Sequence, residues 1–153
     1  MDAPPQLIDQ FEILWRDRIA LQVSGDGSIE AELDQLRSAM RLPLPIDYVR
    51  VLRLIGSRSK HVFPQLSCSI ADAIRLTAEL PDLLAQKGFG TSFLQDRGLA
   101  FAETGNEVYF VDLASGMDDP MSYAVCRLRD EHGYDSRGSM MQVFLEFAMR
   151  RWC

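Results

Sequence analysis

The chain has 153 residues, 47% of them apolar and 25% charged, and carries a formal net charge of −6. That length suits one domain able to bury about two thirds of its unfolded surface, so neither disulfides nor a metal is needed for stability. Three scattered cysteines, Cys68, Cys126 and Cys153, make no disulfide framework and no CxxC pair. No window approaches the roughly 18 apolar residues of a membrane span, and Met1-Asp2-Ala3-Pro4-Pro5 lacks the parts of a secretory signal. The expectation is a single cytoplasmic domain over residues 1–153.

Ile8, Phe11, Trp15 and Ile19 recur at helical spacing and predict an amphipathic helix over residues 5 to 19, with Pro4 or Pro5 in its first turn. Ser24-Gly25-Asp26-Gly27 breaks it. Ser28 reads as an N-cap, and Ile29, Leu33, Leu36 and Met40 form the stripe of a second helix that must stop before Leu42-Pro43-Leu44-Pro45. Pro45 opens a third helix, Ile46 to Ile55, whose buried face is Tyr48, Val49, Leu52 and Ile55 and whose end is Gly56. His61 to Pro64 reads as a short extended piece. Ser69 and Asp72 form a capping-box start for a helix through Ile70, Ala73, Ile74 and Thr77, which Pro81 ends or resets, and Gly88-Phe89-Gly90 closes the segment.

The period then changes. Leu99 to Ala102 and Val108 to Asp112 predict a hairpin around Thr104-Gly105-Asn106, and Tyr123 to Leu128 a third strand. Asp130 to Gly138 reads as a polar loop. Ser139 and Gln142 cap a last helix carrying Met141, Phe144, Leu145, Phe147 and Ala148, with Arg150 and Arg151 at its end. Helices, then an antiparallel meander, then a closing helix define an α+β domain: a small sheet packed with several helices. Trp15 and Trp152 are expected as half-buried core at the two chain ends.

Charge is unevenly placed. Of 22 acids and 16 bases, eight acids and two bases lie between Phe101 and Asp135, which leaves 14 of each elsewhere. The acids are Glu103, Glu107, Asp112, Asp118, Asp119, Asp130, Glu131 and Asp135. Such a segment repels nucleic acid and anionic membranes and favours a basic protein partner. Asp112, at a strand end, is expected to cap the turn at Ala114-Ser115-Gly116, with binding of a partner or ligand as the alternative.

Motifs for catalysis are missing. Gly25-Asp26-Gly27 lacks the third glycine and preceding strand of a phosphate loop, and no GxSxG, HExxH or paired-histidine spacing occurs. No cofactor and no metal site is expected, since His61, His132 and the cysteines are far apart. A nucleophile site from Cys126, His132 and Asp112 is the enzymatic alternative. Cys126 shares a strand face with Ala124 and Leu128, which favours a buried apolar role.

The serial order of segments resembles the SUKH superfamily, which includes a fungal cell-wall assembly regulator and many bacterial toxin-immunity proteins. The likeness runs over residues 28 to 149. Glu32, Pro45, Tyr48, Gly56, Gly105, Tyr109 and Asp112 stand on family-like structural positions, and Ser139-Met140-Met141-Gln142-Val143-Phe144-Leu145 on the closing helix. The resemblance implies a non-enzymatic binding module that neutralises a cognate toxin, often a nuclease, by occlusion. Glu103, Glu107, Asp118, Asp119, Asp130, Glu131 and Asp135 are then the expected partner-binding residues. A constitutive regulatory or scaffolding domain of the same fold is the alternative.

Overall fold

The computed structural model describes residues 7–22, 29–40, 42–86, 98–105, 107–113, 125–129, 133–136 and 140–153. Helix α1 (Leu7–Leu14) runs on into a π-helical turn, Trp15–Ile19, then come α2 (Glu30–Ala39), α3 (Ile46–Ile55), α4 (Ser59–Val62) and α5 (Ile70–Gln86). Strands β1 (Gly98–Glu103), β2 (Glu107–Asp112), β3 (Val125–Arg129) and β4 (Gly133–Ser136) precede α6 (Met140–Trp152). The strands form an antiparallel meander in the order β1-β2-β3-β4. The α+β class read from the sequence is the observed one.

Two apolar clusters sandwich the sheet. The larger one unites the buried faces of α1, α2, α3 and α6 with Leu99, Phe101, Ala102, Tyr109 and Val111. The smaller one sets Leu76, Leu80 and Leu84 of α5 against Ala100, Phe110 and Leu128. Phe144 is the hub of the first, its ring 6.2 Å from Tyr48, 5.9 Å from Phe63 and 5.5 Å from Phe101. These separations suit offset or edge-on aromatic contacts.

Alternation along β1 is interrupted once. Ala100 pairs with Phe110 but Ala102 with Tyr109, so Phe101 is the extra residue of a β-bulge. Phe101 and Ala102 consequently both enter the larger cluster. Glu103, which strict alternation would send to that same face, instead meets Arg75 of α5 at 2.6 Å. The outer edge of β1 is closed in two places. Thr77 Oγ1 accepts from the Ala100 amide at 3.1 Å and donates to its carbonyl at 3.3 Å, and Ser67 and Glu103 exchange backbone hydrogen bonds.

Local signals explain some helix ends. The Ser69 hydroxyl accepts from the Asp72 amide at 3.0 Å, and the Asp72 carboxylate accepts from the Ser69 amide at 3.1 Å. The shorter aspartate thus completes a reciprocal capping box. Arg58 donates to the Leu54 and Ile55 carbonyls at the end of α3 and lies over the buried Trp15 ring at 5.1 Å. Trp152 is half-buried and its indole donates to the Val62 carbonyl at 3.0 Å, fastening the end of α6 to α4.

Three expectations are corrected. Pro81 neither ends nor resets α5, which continues to Gln86. Proline removes the donor to the Thr77 carbonyl and costs about 3 kcal/mol in a helix interior. Full burial of Leu84 beyond it returns a comparable amount, roughly 1.5–3 kcal/mol. His61 and Val62 belong to a helical turn, and only Phe63, ahead of Pro64, keeps an extended backbone. Gly133–Ser136, inside the expected polar loop, pairs with β3 as a fourth strand. A short polar strand is tolerated at a sheet edge, where one flank has no ladder to satisfy. Ser28, Ser139 and the Gly88-Phe89-Gly90 segment lie outside the described residues.

Gly56 closes α3 at φ 60°, ψ −134°, a region that side chains with a Cβ avoid. Gly56→Ala is expected to cost about 1–3 kcal/mol, read as a lower urea midpoint at unchanged slope. Tyr48 is fully buried, and among the described residues its hydroxyl has no hydrogen-bond partner. Burial, with a smaller contribution from Cys68, pushes its ionisation far above the usual range. Tyr48→Phe should therefore leave stability unchanged or raise it by about 1 kcal/mol in the same titration, because it deletes a desolvated hydroxyl and keeps the ring.

Candidate binding surfaces

The β1–β2 turn is closed by the Thr104 amide donating to the Glu107 carbonyl at 2.9 Å. Beside it lies a polar hollow of ≈ 470 Å³ between the hairpin, β3 and α6. Its wall includes Arg127, whose side chain is 11% exposed and pairs with Glu107 at 3.7 Å. The Tyr109 hydroxyl donates to the same carboxylate at 3.2 Å. Arg150 forms the opposite lip, its guanidinium 5.0 Å from the Phe147 ring centroid and paired with Glu146.

Glu103 and Glu107, two of the expected partner-binding acids, thus sit at one end of the sheet and each is held by an arginine of the same chain. Asp135 lies on β4 with Arg127 as its cross-strand neighbour. Asp118, Asp119, Asp130 and Glu131 lie outside the described residues. The meander still constrains where their strands open. Arg129 and Gly133, which flank residues 130–132, pair with each other, and Arg129 also pairs with Glu107. They therefore share the Glu103–Glu107 end. Leu113 and Val125, which flank residues 114–124, belong to the opposite end, where Asp112 pairs with Gly98.

Among the family-like positions, Glu32 is exposed on α2, Pro45 is buried at the start of α3, and Tyr109 is buried on β2. Gly105 is exposed, and a Cβ there would meet nothing within 4 Å. Glycine at this turn is not demanded by space. Sequence reasoning missed Gln65, Arg127 and Arg150 as members of the hollow; only the fold brings these positions together, and Arg150 had been read for its helix-dipole role alone.

Of the enzymatic alternative, Cys126 on β3 and the half-buried Asp112 on β2 are described. Cys126 is half-buried and packs on the Leu76, Leu80, Phe110 and Leu128 cluster, while His132 lies outside the described residues. Among the described residues no three His, Cys, Asp or Glu side chains converge as a metal site, and no helix is long and apolar enough to cross a membrane. Comparison of the chain with family models, curated proteins and solved structures finds no match.

The thiols differ in environment. Cys153 is exposed, Cys126 half-buried and Cys68 buried, with burial and then Asp72 pushing the Cys68 thiol well above its ordinary pKa. A chromogenic disulfide reagent at pH 8 should modify Cys153 first and Cys126 more slowly, with Cys68 silent until denaturant is added. Mass mapping that finds Cys126 ahead of Cys153 would revive an activated thiol.

Proposed function

We propose that this chain is a non-enzymatic protein-binding module of SUKH type, acting in the cytoplasm as an immunity protein that binds and occludes a cognate bacterial toxin. The observation that carries the reading is the placement of charge. All of the excess negative charge belongs to the stretch from Phe101 to Asp135, and its described strands are anchored through both apolar clusters. A rigid sheet end bearing acids suits a basic partner such as a nuclease domain, whose own surface must hold phosphates. Support also comes from the serial order of helices and meander that prompted the resemblance.

Internal pairing refines the mechanism. Glu103 and Glu107 already face Arg75 and Arg127, so they contribute less free field than a count of carboxylates suggests. Steering then falls chiefly to the acids of the connecting segments. If the neighbouring gene's product arrests growth, co-expression of this chain should relieve that arrest; arrest that persists would overturn the immunity reading. Charge reversal of Asp130 and Glu131, whose flanking strands open beside Glu107, should slow association about tenfold at low salt, and reversal of Asp118 and Asp119 less. Stopped-flow association rates across ionic strength check this; rates indifferent to both pairs would remove the acidic surface from the mechanism.

A further inference from the structure

A second surface has the opposite character. Residues 37–53 hold four arginines, Arg37, Arg41, Arg50 and Arg53, against the single acid Asp47. The structure gathers three of them, Arg37, Arg50 and Arg53, around a cleft of ≈ 570 Å³ between the end of α2 and the start of α3. That volume lies within the range of about 300–1,000 Å³ typical of small-molecule sites. Its lining is otherwise apolar, with Met40, Leu44 and Val49 inside and Ile46, 68% exposed, at the lip. An exposed isoleucine beside a buried leucine offers an apolar wall that the chain itself leaves partly uncovered.

The rim pairs are easily exchanged. Arg53 meets Glu30 at 3.2 Å and Arg37 meets Asp34 at 3.8 Å, with every side chain 44% exposed or more. Exposed pairs contribute about 0–1 kcal/mol, so a ligand oxyanion can replace either carboxylate at little cost. Arg50 differs, because it pairs with Glu12 of α1 and holds the cleft wall to the neighbouring helix.

We propose that this cleft binds an amphipathic organic anion, its carboxylate or sulfonate held by Arg37 and Arg53 and its apolar body resting on Met40, Leu44, Ile46 and Val49. The site is separate from the acidic sheet end and does not depend on the immunity reading. The test uses a matched pair of fluorescent probes, 8-anilino-1-naphthalenesulfonate and its uncharged counterpart N-phenyl-1-naphthylamine. The sulfonate should bind one equivalent with blue-shifted emission, at least about tenfold more tightly than the neutral probe. Arg37→Glu with Arg53→Glu should abolish that preference without changing the circular dichroism spectrum, since both side chains are about half exposed. Ile46→Asp, also at an exposed position, should weaken both probes. Equal affinity for the two probes, or a sulfonate affinity that survives the double charge reversal, would overturn the proposal.

Discussion

The bulge at Phe101 is the constraint on which the rest of the sheet depends. One extra residue in β1 lets two consecutive side chains, Phe101 and Ala102, enter the same apolar cluster and changes the phase of everything after them. Glu103 is the first residue to feel that change. On the unbulged register a carboxylate would face Phe144 and Tyr48, where desolvation without a partner is costly. On the bulged one it reaches Arg75. The bulge also fits the helix beside it: Thr77 satisfies both backbone groups of Ala100, immediately before the extra residue. Core packing, edge protection and charge placement therefore have one geometric origin.

The helices were legible because their signals are local. The stripe Ile8, Phe11, Trp15, Ile19 is buried as its spacing requires, even though the helix widens into a π turn under its second half. The Ser69–Asp72 box and the Gly56 terminus are written in a few adjacent residues. What was misread depends on partners far along the chain. Pro81 looks like a stop until Leu84, one turn further along α5, is seen packing against the sheet. Gly133 to Ser136 looks like a loop because a polar edge strand is made by its neighbour β3, not by its own side chains. The bulge itself left no mark in the alternation of Leu99, Ala100, Phe101 and Ala102, all of which are apolar.

The candidate surfaces divide along the same line. The acidic bias of residues 101–135 is visible in composition, but the arginines that answer it are not, since Arg75 lies 28 residues before Glu103. Counting charge over a long segment also hid the second surface. The remainder of the chain is balanced as a sum, and that sum averages a basic stretch at Arg37 to Arg53 with acids at Glu12, Glu30 and Asp34. A shorter window would have found the arginines, though not the apolar lining between them.

Both surfaces follow one electrostatic logic. Several charged groups at these surfaces are paired with a partner from another element: Glu103 with Arg75, Glu107 with Arg127, Arg50 with Glu12 and Arg53 with Glu30. Pairs of this kind add little to stability where solvent reaches them. What they do is hold long side chains in place, so that an incoming partner meets an ordered array without paying the full entropy of assembling it. The two ends then differ in what they can exchange. At the sheet end the carboxylate of Glu107 is 22% exposed and is held by both the still more enclosed Arg127 and the Tyr109 hydroxyl. In the α2–α3 cleft the carboxylates Glu30 and Asp34 are the more exposed members of their pairs. An anion can displace the latter and leave the arginines in place, whereas the enclosed Glu107 pair resists displacement. The asymmetry in enclosure, more than the count of charges, separates the sheet end proposed to meet a basic protein from the cleft proposed to take an acid group.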